Sequence, residues 1–365
     1  MAGATGRSLP VRATASGNVE AVQGDRTLTA EDKLVIDFAR VVESPPAAQG
    51  GTESAGGAIR ERAVVNTMNA LGQVTVSDPV QGLDLSAQEI TCNIVENTDG
   101  RAIEQALLEG TPESPATVRR NDFAVTGAKV RVHVPDEWAE IPGGGRLTLH
   151  SYKDLNGRLL DEPQPISVTW DEWMRYRGRE NVAQFRGNVH ATSDSQTTID
   201  SSELRLEFMD MPVETAESAD PLAWGFFQRL VDRLGRLNAG EGSPTAGEFG
   251  RKKLSSIYAT GGAVINRVLV DDAGEMLSRA RIEGPTVSLN LRDEAKRALI
   301  EGAGNVQIEE FAVGAPQPDA PDTPVSFLGN IASSGPSKTL IQWTGRMWYD
   351  FSINQIRFEK DVDFR

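Results

Sequence analysis

The chain has 365 residues, of which 39% are hydrophobic and 24% charged, enough apolar material for a packed core and too much for a disordered acidic tail. Asp and Glu number 52 against 37 Lys and Arg, a net charge of −15, so no nucleic-acid partner is expected, because that grip needs a basic face. No stretch approaches the roughly 18 apolar residues of a membrane helix, and the opening MAGATGRSLP lacks the apolar run of a signal peptide.

Residues 1–16 read as a tail. Leu34, Ile36 and Phe38 then alternate with Val35 and Asp37, the period-two signature of a half-buried strand. SPPAAQGGTESAGGAI (44–59) reads as a linker. Ile90, Cys92 and Ile94 predict a strand, as do Val130, Val132 and Val134. Gly143-Gly144-Gly145 is followed by Arg146 rather than Gly-Lys-Ser/Thr, so it predicts a turn and not a phosphate loop. Trp170, Met174 and Tyr176 share parity. RGRE (177–180) turns the chain, and Phe185, Gly187 and Val189 share parity again, which predicts a hairpin. Leu204, Leu206 and Phe208 alternate with Arg205 and Glu207.

Asp220-Pro221 opens the one helix-patterned segment, at about 221–238. Leu222, Phe226, Leu230, Leu234 and Leu237 recur near helical spacing, with Arg229, Arg233 and Arg236 between them. This amphipathic insertion either caps an exposed sheet edge or touches a membrane surface through Trp224, Phe226 and Phe227. Beyond it, YATGGAVI (258–265), Val287-Leu289-Leu291 and Val306-Ile308 continue the strand pattern, and GAPQPDAPDTP (314–324) reads as a second linker. Short strands, Gly-rich turns and abundant Ser and Thr predict an all-β, antiparallel fold.

Three blocks recur in the same order. GNVEAVQGDRTLTAEDKLVIDF starts at 17 and GNVHATSDSQTTIDSSELRLEF at 187, an ungapped offset of 170. WDEWMRYRGRENVAQFRGNV starts at 170 and WTGRMWYDFSINQIRFEKDV at 343, an offset of 173. QALLEG (105–110) and RALIEG (297–302) form a weaker third pair. They predict two tandem units, 17–189 and 187–365, the second carrying the helical insertion.

Ala183 to Ala191 (AQFRGNVHA) and Asp200 to Phe208 (DSSELRLEF), with Gly17-Asn18-Val19 to Phe38 as a second copy, resemble the OstA-like repeat of the lipopolysaccharide-transport proteins LptA, LptC and the N-terminal domain of LptD. The resemblance implies an extended, twisted antiparallel β-jellyroll whose groove shields the acyl chains of lipopolysaccharide or a similar lipid. It also implies a periplasmic or envelope location, and partners that are other Lpt-like β-jellyroll proteins joined by edge-strand addition. On that reading the groove is lined by Leu34, Ile36, Phe38, Phe185, Val189, Leu204, Leu206, Phe208, Phe358 and Val362. A filled core shows the same alternation, so these positions also fit ordinary packing.

Two other readings stand beside this one: a structural or adhesive β-solenoid that binds protein partners, and a carbohydrate-active β enzyme with two facing carboxylates. No nucleophile elbow or zinc-ligand spacing occurs, so neither enzyme chemistry nor a cofactor or metal is expected. Glu309 and Glu310 are adjacent on a strand and point to opposite faces. The single cysteine, Cys92, shares parity with Ile90 and Ile94, which predicts a buried thiol.

Overall fold

Period-two alternation produces strands with one apolar face, and that face has to be covered. A computed structural model of the protein describes residues 9–43, 60–79, 82–97, 100–120, 123–133, 135–153, 159–193, 196–210, 252–270, 274–292, 296–311, 336–350, 353 and 355–365. Within them, 24 strands join into one antiparallel sheet, and no helix occurs among the described residues. The segment 221–238 and the linkers 44–59 and 314–324 lie outside the described residues.

The sheet covers its apolar face by folding along a lengthwise crease into two leaves. Six strands run through the crease: β5 (Arg60–Asp78), β6 (Leu83–Asn97), β15 (Val182–Ser193), β16 (Thr197–Asp210), β17 (Lys252–Val270) and β18 (Met276–Asn290). The other strands pair end to end across it, one in each leaf. At the start stand β1 (Arg12–Ser16) with β2 (Val19–Gln23), then β3 (Arg26–Ala30) with β4 (Lys33–Glu43). Next come β7 (Gly100–Glu109) with β8 (Ala116–Arg120), β9 (Phe123–Gly127) with β10 (Lys129–His133), β11 (Trp138–Pro142) with β12 (Gly145–Lys153), and β13 (Leu159–Trp170) with β14 (Trp173–Arg177). The last are β19 (Arg297–Glu301) with β20 (Gly304–Glu310), β21 (Ser337–Trp343) with β22 (Arg346–Asp350), and β23 (Gln355–Glu359) with β24 (Val362–Phe364). Leaf A holds β2, β3, β8, β9, β12, β13, β20, β21 and β24. Leaf B holds β1, β4, β7, β10, β11, β14, β19, β22 and β23.

The crease is built by left-handed backbone. Pairing shifts register between Leu71 and Val74, Arg186 and Val189, and Thr260 and Ala263. The residues skipped there have φ of 79° and 40° (Gly72, Gln73), 86° and 43° (Gly187, Asn188), and 76° and 87° (Gly261, Gly262). Positive φ favours glycine and asparagine. At Gly187 a Cβ would also lie 2.7 Å from the Glu172 amide nitrogen. Hydrogen bonding continues around the bend, with Asp171 N donating to Gly187 O at 2.8 Å and Glu172 N to Arg186 O at 3.0 Å. The Gly187-Asn188 pair therefore lies inside one strand and turns it from leaf to leaf as a β-bulge does.

The inner faces of the leaves meet in a continuous apolar interior. Trp170 from leaf A and Phe185 from leaf B pack at 5.2 Å between ring centroids, and Trp170 Nε1 donates to Gly143 O at 3.0 Å. The same corner recurs: Trp343 packs on Phe358 at 5.4 Å and donates to Gly302 O at 3.1 Å. Under each indole lies a glycine, Gly145 and Gly304, whose Cβ would sit 2.5 Å from the ring. Trp170, Met174, Tyr176 and their counterparts Trp343, Met347 and Tyr349 are all buried. The Gly143–Gly145 run makes a corner between β11 and β12, as a turn reading requires.

The shared face also explains Cys92, 1% exposed on β6, where burial pushes the thiol up to about 12. A thiol reagent is expected to find no reactive cysteine in the native protein and one after denaturation. Gly145→Ala is expected to cost about 1–3 kcal/mol by overpacking and Trp170→Ala about 3–5 kcal/mol, both read from denaturant midpoints.

Candidate functional site

The inward positions of β12, β13 and β15 in leaf A face those of β16 and β17 in leaf B. Here the leaves do not fully interdigitate. A cleft remains, lined by Leu149, Ile166, Val168, Ala191 and Ile199 on one side and Leu204, Leu206, Phe208, Leu254 and Ile257 on the other. Its volume is about 30 Å³, room for a water or two, against the roughly 150 Å³ of an apolar cavity that takes up benzene. The gap exists because Ala191 is small where the facing wall carries leucines and Phe208. A register shift between Glu207 and Phe208 reshapes the leaf-B rim.

Every lining side chain is apolar. Carboxylates held below their usual range by hydrogen bonds and ion pairs sit elsewhere, on outward positions: Asp37 beside Arg12, Glu283 beside Asn305 and Arg281, and Glu309 beside Lys338 and Gln307. Glu140, paired with Arg175 at 2.9 Å and Arg131 at 3.3 Å, is likewise outward on β11. His190 lies 2.5 Å from Asp200 on the exposed face of β15 and β16, and His133 lies 3.1 Å from Asp136. No group of three or more metal-ligating side chains gathers among the described residues. The cleft can therefore exclude water and contact hydrocarbon, and it presents no charge for acid–base chemistry.

Ser193, Thr197, Ser201, Ser255 and Ser256 are buried. Ser255 Oγ donates to Glu207 O at 3.1 Å, whereas Ser201 Oγ, beside the crease, has no hydrogen-bond partner among the described residues.

Of the ten positions expected to line a groove, the structure brings Leu204, Leu206 and Phe208 together on the cleft wall. Phe185 and Val189 are buried near the crease, with Phe185 packed on Trp170. Leu34 is buried, while Ile36 and Phe38 are half-buried on β4, near the first edge of the sheet. Phe358 is half-buried on β23, and Val362 on β24 is 37% exposed at the other edge. Sequence reading missed the leaf-A wall, Leu149, Ile166, Val168, Ala191 and Ile199, together with Leu254 and Ile257. Their alternation marks strands, but not which strands face one another.

No protein-family model matches the chain, and no curated protein matches it. Among solved structures, LptH from Pseudomonas aeruginosa, described as the LptA homologous periplasmic component of the conserved lipopolysaccharide transport device, aligns with 12% identity and a TM-score of 0.29. The alignment covers 55% of this chain and 94% of that one.

The two serines separate a bonded from an unbonded buried hydroxyl. Ser201→Ala is expected to hold or raise the melting temperature, because it removes an unpaired polar group. Ser255→Ala is expected to cost about 1 kcal/mol by stranding the Glu207 carbonyl.

Proposed function

We propose that the protein binds the acyl chains of lipopolysaccharide or a similar lipid between its two leaves, as a non-enzymatic carrier or bridge of the periplasm or cell envelope. The observation that supports this reading is the cleft lined on both leaves by apolar side chains alone, Leu204, Leu206 and Phe208 among them. Burying hydrocarbon there is favourable at roughly 25 cal/mol per Å² of apolar surface. At about 30 Å³ the cleft must widen to admit a chain, so binding parts the leaves at the rim formed by Leu149, Ile166, Phe208 and Leu254. The crease holds both leaves during that motion. The recurring Trp170 and Trp343 corners support a chain of two tandem units along one continuous interior, and the sheet edges are the surfaces at which similar β-jellyroll proteins add strands.

A second reading has its own support. Away from the cleft the interior is packed, with Val118, Val125, Ile141 and Met174 fully buried, as in a structural β-solenoid that binds proteins at its ends. A photo-reactive phenylalanine analogue at Phe208, in protein made in a Gram-negative host, separates the two. The lipid reading predicts a lipopolysaccharide or phospholipid adduct at Phe208 and none from an outward control at Glu207. An absence of lipid adducts from Phe208 in folded protein favours the solenoid. Ala191→Leu, which fills the cleft, is expected to cut lipid capture at least tenfold with the melting temperature kept within a few degrees. Undiminished capture by that variant contradicts the site.

A further inference from the structure

Three rungs of the sheet share one design. β1/β2, β15 and β23/β24 each cross the crease on left-handed backbone: φ is 74° and 47° at Gly17-Asn18, 86° and 43° at Gly187-Asn188, and 67° at Lys360. Their registers agree. Arg12 and Ser16 pair with Asp37 and Lys33 as Val182 and Arg186 pair with Glu207 and Glu203. Gln355 and Glu359 pair with Asp350 and Arg346 as Val182 and Arg186 pair with Arg177 and Trp173. The shift between Asp37 and Phe38 on β4 matches that between Glu207 and Phe208 on β16. The match is ungapped in leaf B and slips by one residue in leaf A, where Ala21 pairs with Leu28 and Ala191 with Ile199.

β15 has a neighbour on both sides, β13/β14 and β16. Among the described residues, β1/β2 has only the β16-like neighbour, β3/β4, and β23/β24 only the β13/β14-like neighbour, β21/β22. Each end of the sheet therefore holds half of the setting in which β15 sits.

The two end rungs differ in what they present inward. Where β15 has Ala183, Phe185 and Ala191, β1/β2 has Ala13, Ala15 and Ala21, while β23/β24 has Ile356, Phe358 and Phe364. β1 is exposed at every residue. Phe364 is 63% exposed. The first rung is thus a weak cover for β3/β4, and among the described residues the last rung carries large apolar side chains with a neighbouring strand on one side only.

We propose that β1/β2 is a displaceable cap, and that β23/β24 of a second copy of this chain takes its place on β3/β4. This deepens the reading of strand addition at the sheet edges and rests on that part of it. In the register that β1/β2 now uses, Ile356 falls opposite Ile36, Phe358 opposite Leu34, and Phe364 opposite Leu28. Phe358 on Leu34 repeats Phe185 on Leu204. Glu359 falls opposite Lys33, a favourable cross-strand charge pair. The exchange covers the exposed apolar side chains of β24 and carries the apolar interior from one copy into the next.

The test uses full-length protein without lipid. Chains with Lys33→Cys are mixed with chains with Glu359→Cys and treated with a short bis-maleimide, Cys92 being buried and unreactive. The exchange predicts a crosslinked dimer from this mixture and at least tenfold less from Ser16→Cys mixed with Glu359→Cys, because β1 has left the edge. A chain carrying Ser16→Cys and Lys33→Cys, bridged internally beforehand, is expected to lose dimer at least tenfold in native mass spectrometry. Dimer formed through Ser16 and Glu359, or undiminished by the bridge, overturns displacement and leaves simple strand addition. A wild-type chain that stays monomeric at every concentration overturns the joint itself. Lipid capture at Phe208 is read separately, so loss of the acyl-chain reading and loss of this one give different results.

Discussion

A sheet with one apolar face must find a cover for it, and here the cover is the sheet itself. Everything else depends on the crease that makes this possible. Along one line the chain repeatedly adopts left-handed backbone, supplied by Gly72, Gly187, Gly261 and Gly262, with Asn18 and Asn188 in the same conformation. Backbone hydrogen bonds such as Asp171 N to Gly187 O and Glu31 N to Gly72 O pass around the line, so the two leaves belong to one sheet. The price is a pair of sheet edges, because a creased sheet does not close on itself as a barrel does.

Side-chain size at a few inward positions then decides whether the interior is solid or open. Trp170 and Trp343 fill the fold line wherever a glycine beneath leaves space for an indole. At Ala191 the opposite holds, and a small residue faces Leu204 and Leu206 across the leaves, leaving the cleft. In the equivalent place on β24 stands Phe364, exposed rather than packed. One backbone design, repeated with different inward residues, thus yields a plugged corner, an apolar cleft and an exposed apolar edge.

Much of this was legible in the residues. Alternation at Leu204-Leu206-Phe208 and at Val287-Leu289 marked strands, and the matched GNV and Trp blocks marked the recurring corner. The turn after Arg177 and the burial of Cys92 also followed from parity. The ungapped alignment of 17–38 with 187–208 holds for β4 against β16 but slips one residue in leaf A, because the corner before β4 is one residue longer and the turn before β3 one residue shorter. Gly187-Asn188 shares its φ preference with turns, and only pairing across the sheet shows that it lies at a crease. The facing of β13 on β16 depends on how the leaves close, which no local pattern encodes, so seven of the ten lining residues escaped. Ile94 keeps phase with Cys92 and packs against the core, because the register shift beside it places the extra residue, Glu104, on β7.

The central claim is that acyl chains enter between the leaves. Methyl-resolved NMR of isoleucine-labelled protein with a long-chain lipid tests it most directly. The account predicts nuclear Overhauser contacts from lipid methylenes to Ile166, Ile199 and Ile257, which lie on opposite leaves of the one cleft, and none to Ile141, which is packed elsewhere. Contacts confined to Ile353 and Ile356 at the sheet edge, with the three cleft methyls silent, would contradict it.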